Sequence, residues 1–273
     1  MTRPRSTLRP ETAPPAPTPR LVRTRRTFLI GAANLLAVTV HAADIQPAAT
    51  PLRIVVVGGH PGDPEYGCGG TVARYTDLGH RVTLLYLNHG ETNCPETDAE
   101  HGSTMRTREA EAACAILGAR ARFADQCNAH AIVDQRHYET FTRLLRELSP
   151  DIVFDQWPID NHPDHRAISS LTYEAWLRMH RGPALYYYEV SDGEDTQMFQ
   201  PTDYVDITAT EARKRRACYA HASQEPDRYW ALQSQVTRFR GLQAGYPQAE
   251  AFIRHARSRP GFLPQGQAQP RPE

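Results

Sequence analysis

His60 and Asp63 stand three positions apart in His60-Pro61-Gly62-Asp63-Pro64-Glu65, directly after the apolar run Leu52 to Val57. About a hundred residues on, Asn161-His162-Pro163-Asp164-His165 sets two more imidazoles and a carboxylate behind a second strand-like run, Asp151 to Asp155. Two imidazoles and one carboxylate are a common ligand set for catalytic zinc, which keeps a position for a water whose pKa falls to about 7. A spacing of three suits a tight turn from which both side chains face one point. A single histidine after a strand is most often a loop residue bonded to backbone. Two His/Asp clusters, each behind such a run, favour a metal site.

The elements that must carry these clusters alternate. Leu52 to Gly59 reads as a strand buried on both faces. The glycine-rich stretch Gly67-Cys68-Gly69-Gly70 reads as a turn, and Thr71 to Leu78 as a helix ended by Gly79. Strands are expected at Arg81 to Leu87, Ala121 to Ala124, Asp151 to Asp155 and Leu185 to Val190, the last at a sheet edge. Helices are expected at Thr104 to Leu117, Arg136 to Leu148, His165 to Met179, Glu211 to Ala222 and Asp227 to Leu242. Alternation of this kind specifies parallel crossovers, hence an α/β, Rossmann-like open and mostly parallel sheet with helices on both faces. In that architecture the loops at the carboxyl ends of the strands converge on one crevice, and both His/Asp clusters sit on such loops. A dinucleotide is disfavoured there, because Gly67-Cys68-Gly69-Gly70 does not match GxGxxG.

The chain divides into three. Residues 1–43 begin with a proline-rich stretch that has too few apolar residues to pack a core. They continue with Arg25-Arg26, an apolar run from Phe28 to Val40 and a small-residue site at Ala42 or Ala43, the layout of a removable export signal. The paired arginines resemble the twin-arginine type, and the expected location is periplasmic or secreted. The run is short of the roughly 20 residues a membrane span needs, so no stable insertion is expected after cleavage. Residues 51–245 are expected to form a single domain, and residues 246–273 a polar tail.

The whole-chain charge is zero, yet residues 1–42 hold seven arginines against Glu11 alone; without them 24 basic residues face 30 acidic ones, a net of −6. A mildly acidic chain with no basic block is a poor ligand for nucleic acid or anionic membranes. Five cysteines show no CxxC pair and no disulfide ladder. Cys114 reads as a small core residue, and a Cys94–Cys127 bridge is compatible with an oxidising compartment. Composition fixes no oligomeric state.

His60 to Thr71 resembles the HPDDxExxxGGT signature of the LmbE-like, or PIG-L, zinc deacetylases, and Asn161 to Ala167 resembles their HPDHRA signature at the usual separation. Asn88-His89-Gly90-Glu91 and Arg108-Glu109-Ala110-Glu111, followed by Leu117-Gly118, fall where that family has its GE and RxxE segments. The resemblance covers residues 52 to 190. It implies a hydrolase that removes the acetyl group from an N-acetylglucosamine-type sugar, with a small-molecule amino-sugar substrate and Zn2+ as cofactor. It further implies that His60, Asp63 and His165 bind zinc, that His162 is the acid or electrophile at the scissile carbonyl, and that Asp164 orients His162 by a hydrogen bond. Arg108 and Glu91 would contact substrate.

One position departs from the pattern. The family has an aspartate where this chain has Gly62, and that aspartate is its general base. Glycine cannot take a proton, and loss of such a base costs on the order of 10²- to 10⁴-fold in rate. Glu65, Glu91, Asp160, Asp164 and His162 are the groups that could replace it. Two alternatives therefore stay beside the deacetylase: a zinc amidase for another small amide, and a metal-retaining, catalytically weak sugar-binding protein.

Overall fold

The computed structural model describes residues 50–90, 99–190 and 196–264. The export-signal segment, Glu91 and Cys94 lie outside the described residues. Seven strands form one sheet in the order β3-β2-β1-β4-β5-β7-β6. Strands β1 (Arg53–Gly58), β2 (Arg81–Asn88), β3 (Arg120–Gln126), β4 (Ile152–Gln156) and β5 (Ala184–Tyr188) are parallel. β6 (Asp203–Asp206) and β7 (Ala249–Arg254) complete the sheet in antiparallel pairing. The α/β fold is thus the expected open, mostly parallel sheet.

Alternation within β1 explains why both faces are covered. Ile54 and Val56 join one apolar core with residues of α1 (Asp63–Asp77), α2 (Ala99–Leu117) and α5 (Glu211–Tyr219). Val55 and Val57 join the other, with residues of α3 (Gln135–Leu148) and α4 (Pro163–Arg178). Side chains of successive strand residues point to opposite faces, so a continuous apolar run is what a strand covered on both sides requires. Among the described residues no helix is long and apolar enough to cross a membrane.

Three expectations need correction. The glycine-rich stretch is helix, not turn: α1 begins at Asp63, eight residues before the expected start. Asp63 and Glu65 stand in its first turn with Pro64, a favourable N-terminal composition. The glycines are there for close packing, since a Cβ on Gly67 would run into the Tyr188 ring and one on Gly70 into Ile207. Second, β5 is internal, between β4 and β7, and fully buried. Third, the stretch after residue 245 is no tail at its start. β7 contributes Phe252 to the core, Leu263 packs there too, and Tyr75 donates its hydroxyl to the Phe262 carbonyl.

The same C-terminal region braces α1. The Glu250 carboxylate accepts from the amides of Gly70 (2.9 Å) and Thr71 (2.7 Å) and from Lys214 Nζ of α5 at 2.6 Å. Lys214 and Glu250 are both buried. Cys68, Cys114 and Cys218 are free and buried; Cys127 is disulfide-bonded.

Candidate metal centre

In this strand order the chain direction of assembly reverses between β1 and β4, and α/β sheets bind ligands in the crevice at such a switch point. Residues after β1 supply His60 and Asp63; residues after β4 supply Asp160, His162 and His165. The Gly59 amide donates to Gln156 Oε1 at 2.7 Å, tying the two strand ends together.

Asp63 Oδ2 is the centre of the cluster. It lies 3.1 Å from His60 Nδ1 and 3.2 Å from His165 Nε2, and accepts from the His60 amide at 2.8 Å. Ligand bonds of 2.0–2.2 Å in a tetrahedral site place neighbouring ligand atoms about 3.3 Å apart, so these separations suit a shared cation. The far nitrogen of each histidine meets a carboxylate. His60 Nε2 is 3.1 Å from Asp164 Oδ2, and His165 Nδ1 is 3.1 Å from Asp160 Oδ2. Carboxylates behind ligating histidines fix the tautomer and raise ligand basicity. One nitrogen each of His60, His162 and His165 also falls within 4.8 Å of the others, so a set with His162 in place of Asp63 is geometrically open. By chemistry and spacing the residues fit a divalent metal.

Electrostatics follow the geometry. Burial pulls the His165 pKa down, but the Asp63 charge and hydrogen bonds to Asp160 and Asp63 outweigh it and push it up to about 10. Burial opposes ionisation of Asp63, yet His165 and His60 hold its carboxyl well below the usual range. His162 moves the other way, lowered by burial and then by His60 and His165, so its neutral form is favoured at pH 7 rather than the imidazolium.

Several sequence expectations change. Asp164 does not orient the His162 ring: its Oδ2 accepts from Asn88 Nδ2 (3.1 Å) and the Ala129 amide (2.8 Å) and faces His60. Only its backbone amide meets His162, donating to Nδ1 at 3.2 Å. Asp164 is residue N2 of α4, and its side chain turns back toward β1 across the sheet. Arg108 is exposed and does not line the cavity; Arg106 does, donating to the carbonyls of Gly90 (2.6 Å) and Pro61 (2.9 Å). Two residues on a helix is a rotation of about 200°, enough to carry a side chain to the opposite face. Arg106 and Glu109, three apart, share the face that Arg108 and Glu111 were expected to occupy. Glu109 accepts from the Ser223 amide and hydroxyl.

The groups considered as replacement bases are largely committed. Asp160 and Asp164 hold histidines. Glu65 is fully buried, accepting from Tyr86 Oη (2.7 Å) and the Gly62 amide (3.2 Å), with His221 Nε2 at 3.0 Å. Of the aromatic residues considered for sugar stacking, Tyr66 lines the cavity, while Tyr186 and Tyr188 are core. Trp157 packs on the α4 side. Sequence reasoning missed Arg106, His221, Tyr229 and Gln233, which line a cavity of about 300 Å³ with His60, Asp63, His162 and His165. The turn His221-Ala222-Ser223-Gln224 carried the one available signal, a histidine with polar residues just past a helix.

An α/β sheet with a His/Asp metal cluster at its switch point defines a class of metal-dependent hydrolases. Residues 55–176 match the family described as "PIG-L: GlcNAc-PI de-N-acetylase", and this part of the chain belongs to that PIG-L, or LmbE-like, family. The diacetylchitobiose deacetylase of Thermococcus kodakarensis is 27% identical over 226 residues, covering 77% of this chain and 84% of that protein. Conserved protein TT1542 of Thermus thermophilus superposes with a TM-score of 0.65 at 27% identity, over 80% of this chain and all of that one. The 4-carboxy-2-hydroxymuconate hydratase of Pseudomonas putida shares the fold (TM-score 0.66, 22% identity, 77% of this chain and 98% of that one). A fold that also serves a hydratase leaves the reaction to be argued from the site.

Proposed function

We propose that this chain is a zinc-dependent hydrolase that removes the N-acetyl group from an N-acetylglucosamine-type sugar or glycoconjugate. The observation that carries the reading is Asp63 Oδ2 between His60 Nδ1 and His165 Nε2, each histidine backed by its own carboxylate. The similarity to a diacetylchitobiose deacetylase supports the substrate class.

His60, Asp63 and His165 would hold the metal, which when bound supplies Lewis acidity to a carbonyl oxygen and to water. The cavity is at the lower end of small-molecule sites, with room for one sugar ring and its acetamide. His162 sits at its wall, edge-on to His60 at 4.6 Å and stacked on His165 at 4.7 Å between ring centres. With Nδ1 accepting from the Asp164 amide, Nε2 is the nitrogen left to serve substrate. As a neutral donor in the matching tautomer it hydrogen-bonds the acetyl oxygen as negative charge builds there, and it is placed to protonate the departing amine. Arg106 pins Gly90 and Pro61, holding the cavity rim beside the His60 turn.

Gly62 favours a second reading, a metal-retaining sugar-binding protein. Residues 1–43 support export of either form, on the paired arginines and the apolar run to Val40.

The test is acetate release from N-acetylglucosamine, N,N'-diacetylchitobiose and related sugars by the zinc-loaded protein, beside His165→Ala. Turnover by wild type alone establishes the hydrolase. Sugar binding without acetate release would sink the deacetylase and leave the binder, and acetate release only from amides that are not sugars would leave the amidase.

A further inference from the structure

Gly62 has no side chain to take a proton, so a hydrolase built on this site needs another acceptor. Glu65, Asp160 and Asp164 are each hydrogen-bonded away from the cavity floor. His221 is in a different position. It lines the same cavity as His60, Asp63, His162 and His165, and its ring comes within 3.9 Å of the point where a Cβ on residue 62 would lie. It belongs to the turn after α5, far from both metal motifs in sequence.

The hydrogen bonds around His221 fix its tautomer. Glu65 Oε1 accepts from Tyr86 Oη and faces His221 Nε2, while Oε2 accepts from the Gly62 amide. A carboxylate used in this way is an acceptor, so Nε2 must carry the ring proton. Nδ1 is then a bare lone pair. It is buried and has no hydrogen-bond partner. Leaving such an acceptor unsatisfied costs roughly 1–3 kcal/mol, which marks it as a group awaiting a donor. A carboxylate behind one imidazole nitrogen and a free lone pair on the other is the arrangement by which hydrolases make a histidine a base.

We infer that His221, oriented by Glu65, is the proton acceptor that stands in for the aspartate this chain lacks at position 62. The inference rests on the deacetylase reading. His221 Nδ1 takes a proton from the attacking water as the water oxygen bonds to the acetyl carbon. The C–N bond then breaks while His162 delivers a proton to the sugar nitrogen. Acetate and the free amine leave, and the proton on His221 passes to solvent. No oxidant, reductant or second substrate is required.

Two measurements test this on the full zinc-loaded protein. The first is 15N NMR of the histidine rings, which does not depend on turnover. The expected result is His221 as the Nε2–H tautomer with unprotonated Nδ1, lost in Glu65→Gln; an Nδ1–H tautomer in wild type overturns the assignment. The second is acetate release by His221→Gly with and without added imidazole. A loss of about 10²- to 10⁴-fold is expected, with zinc content unchanged and imidazole restoring at least tenfold; a merely structural histidine would not be rescued. Should the glycine variant fail to fold, His221→Gln, which keeps a donor for Glu65, must show the same loss. Activity within about threefold of wild type in either variant, or a loss that imidazole leaves untouched, overturns it. A wild type that releases no acetate from any sugar removes the deacetylase reading itself, a different outcome from an active wild type beside an equally active His221 variant.

Discussion

The Asp164 carboxylate stands 3.1 Å from Nε2 of His60, a residue 104 positions earlier, and not against its neighbour His162. A hydrogen bond from α4 to the loop after β1 thus joins the two halves of the metal cluster. It sets the tautomer that aims His60 Nδ1 at Asp63.

Asp164→Asn should therefore act on metal affinity before it acts on chemistry. Loss of a carboxylate behind a ligating histidine weakens binding by about 10- to 100-fold. Competition with a chelator of known strength reads this directly. Unchanged affinity together with lost activity would reassign Asp164 to the His162 side.

Metal loading should release protons. His165 is pushed up to about 10, so at neutral pH its proton must leave before Nε2 can ligate. Apparent affinity should climb with pH, by about tenfold per unit for a single displaced proton, and level off near pH 10. Calorimetry in two buffers of different ionisation enthalpy counts the protons; a flat affinity between pH 6 and pH 9 would contradict the electrostatics described here.

Much of this was legible in sequence, and the failures have physical causes. The runs at residues 52 to 57 and 151 to 155 are apolar throughout because their strands are covered on both faces, so the crevice could be located. β6 and β7 were missed because four and six residues, interleaved with Asp203, Asp206, Glu250 and Arg254, carry little apolar signal. The start of α1 was missed because Gly67, Gly69 and Gly70 read as breakers when only their neighbours in space explain them. Arg106 was displaced by a two-residue slip in a helix whose arginines at 106 and 108 look alike in one dimension. His221 was invisible because its partner Glu65 lies 156 positions away.

Asp155 offers a test of stability. It is fully buried, Oδ2 is 3.4 Å from Ser169 Oγ, and Oδ1 has no partner. Burial raises its pKa well above the ordinary carboxyl value. A raised carboxyl stabilises the fold while protonated, below about pH 3.9, and that contribution is lost as pH rises. Asp155→Asn should then be more stable than wild type at pH 7, by about 1–2 kcal/mol, and equal to it near pH 3. Urea melts at both pH values decide; a variant weaker at pH 7 would show that the charge is needed.

Lys214→Met should be severe. It strands the Glu250 carboxylate in the interior, and breaking a buried pair from one side costs about 3–5 kcal/mol. Lys214→Met with Glu250→Gln should cost less than the single change, because the amide keeps an acceptor for α1. A double variant weaker than Lys214→Met in chemical denaturation would contradict that view.

Glu250, Lys214 and the Thr210 hydroxyl, which donates to the Gly70 carbonyl at 2.9 Å, all grip the helix that begins at Asp63. They come from the last quarter of the chain. During synthesis every metal ligand has therefore been made before the segment that holds α1 in place exists. The pocket is the final thing this polypeptide completes, and a message cut short before β7 would yield the ligands without the vice that aligns them.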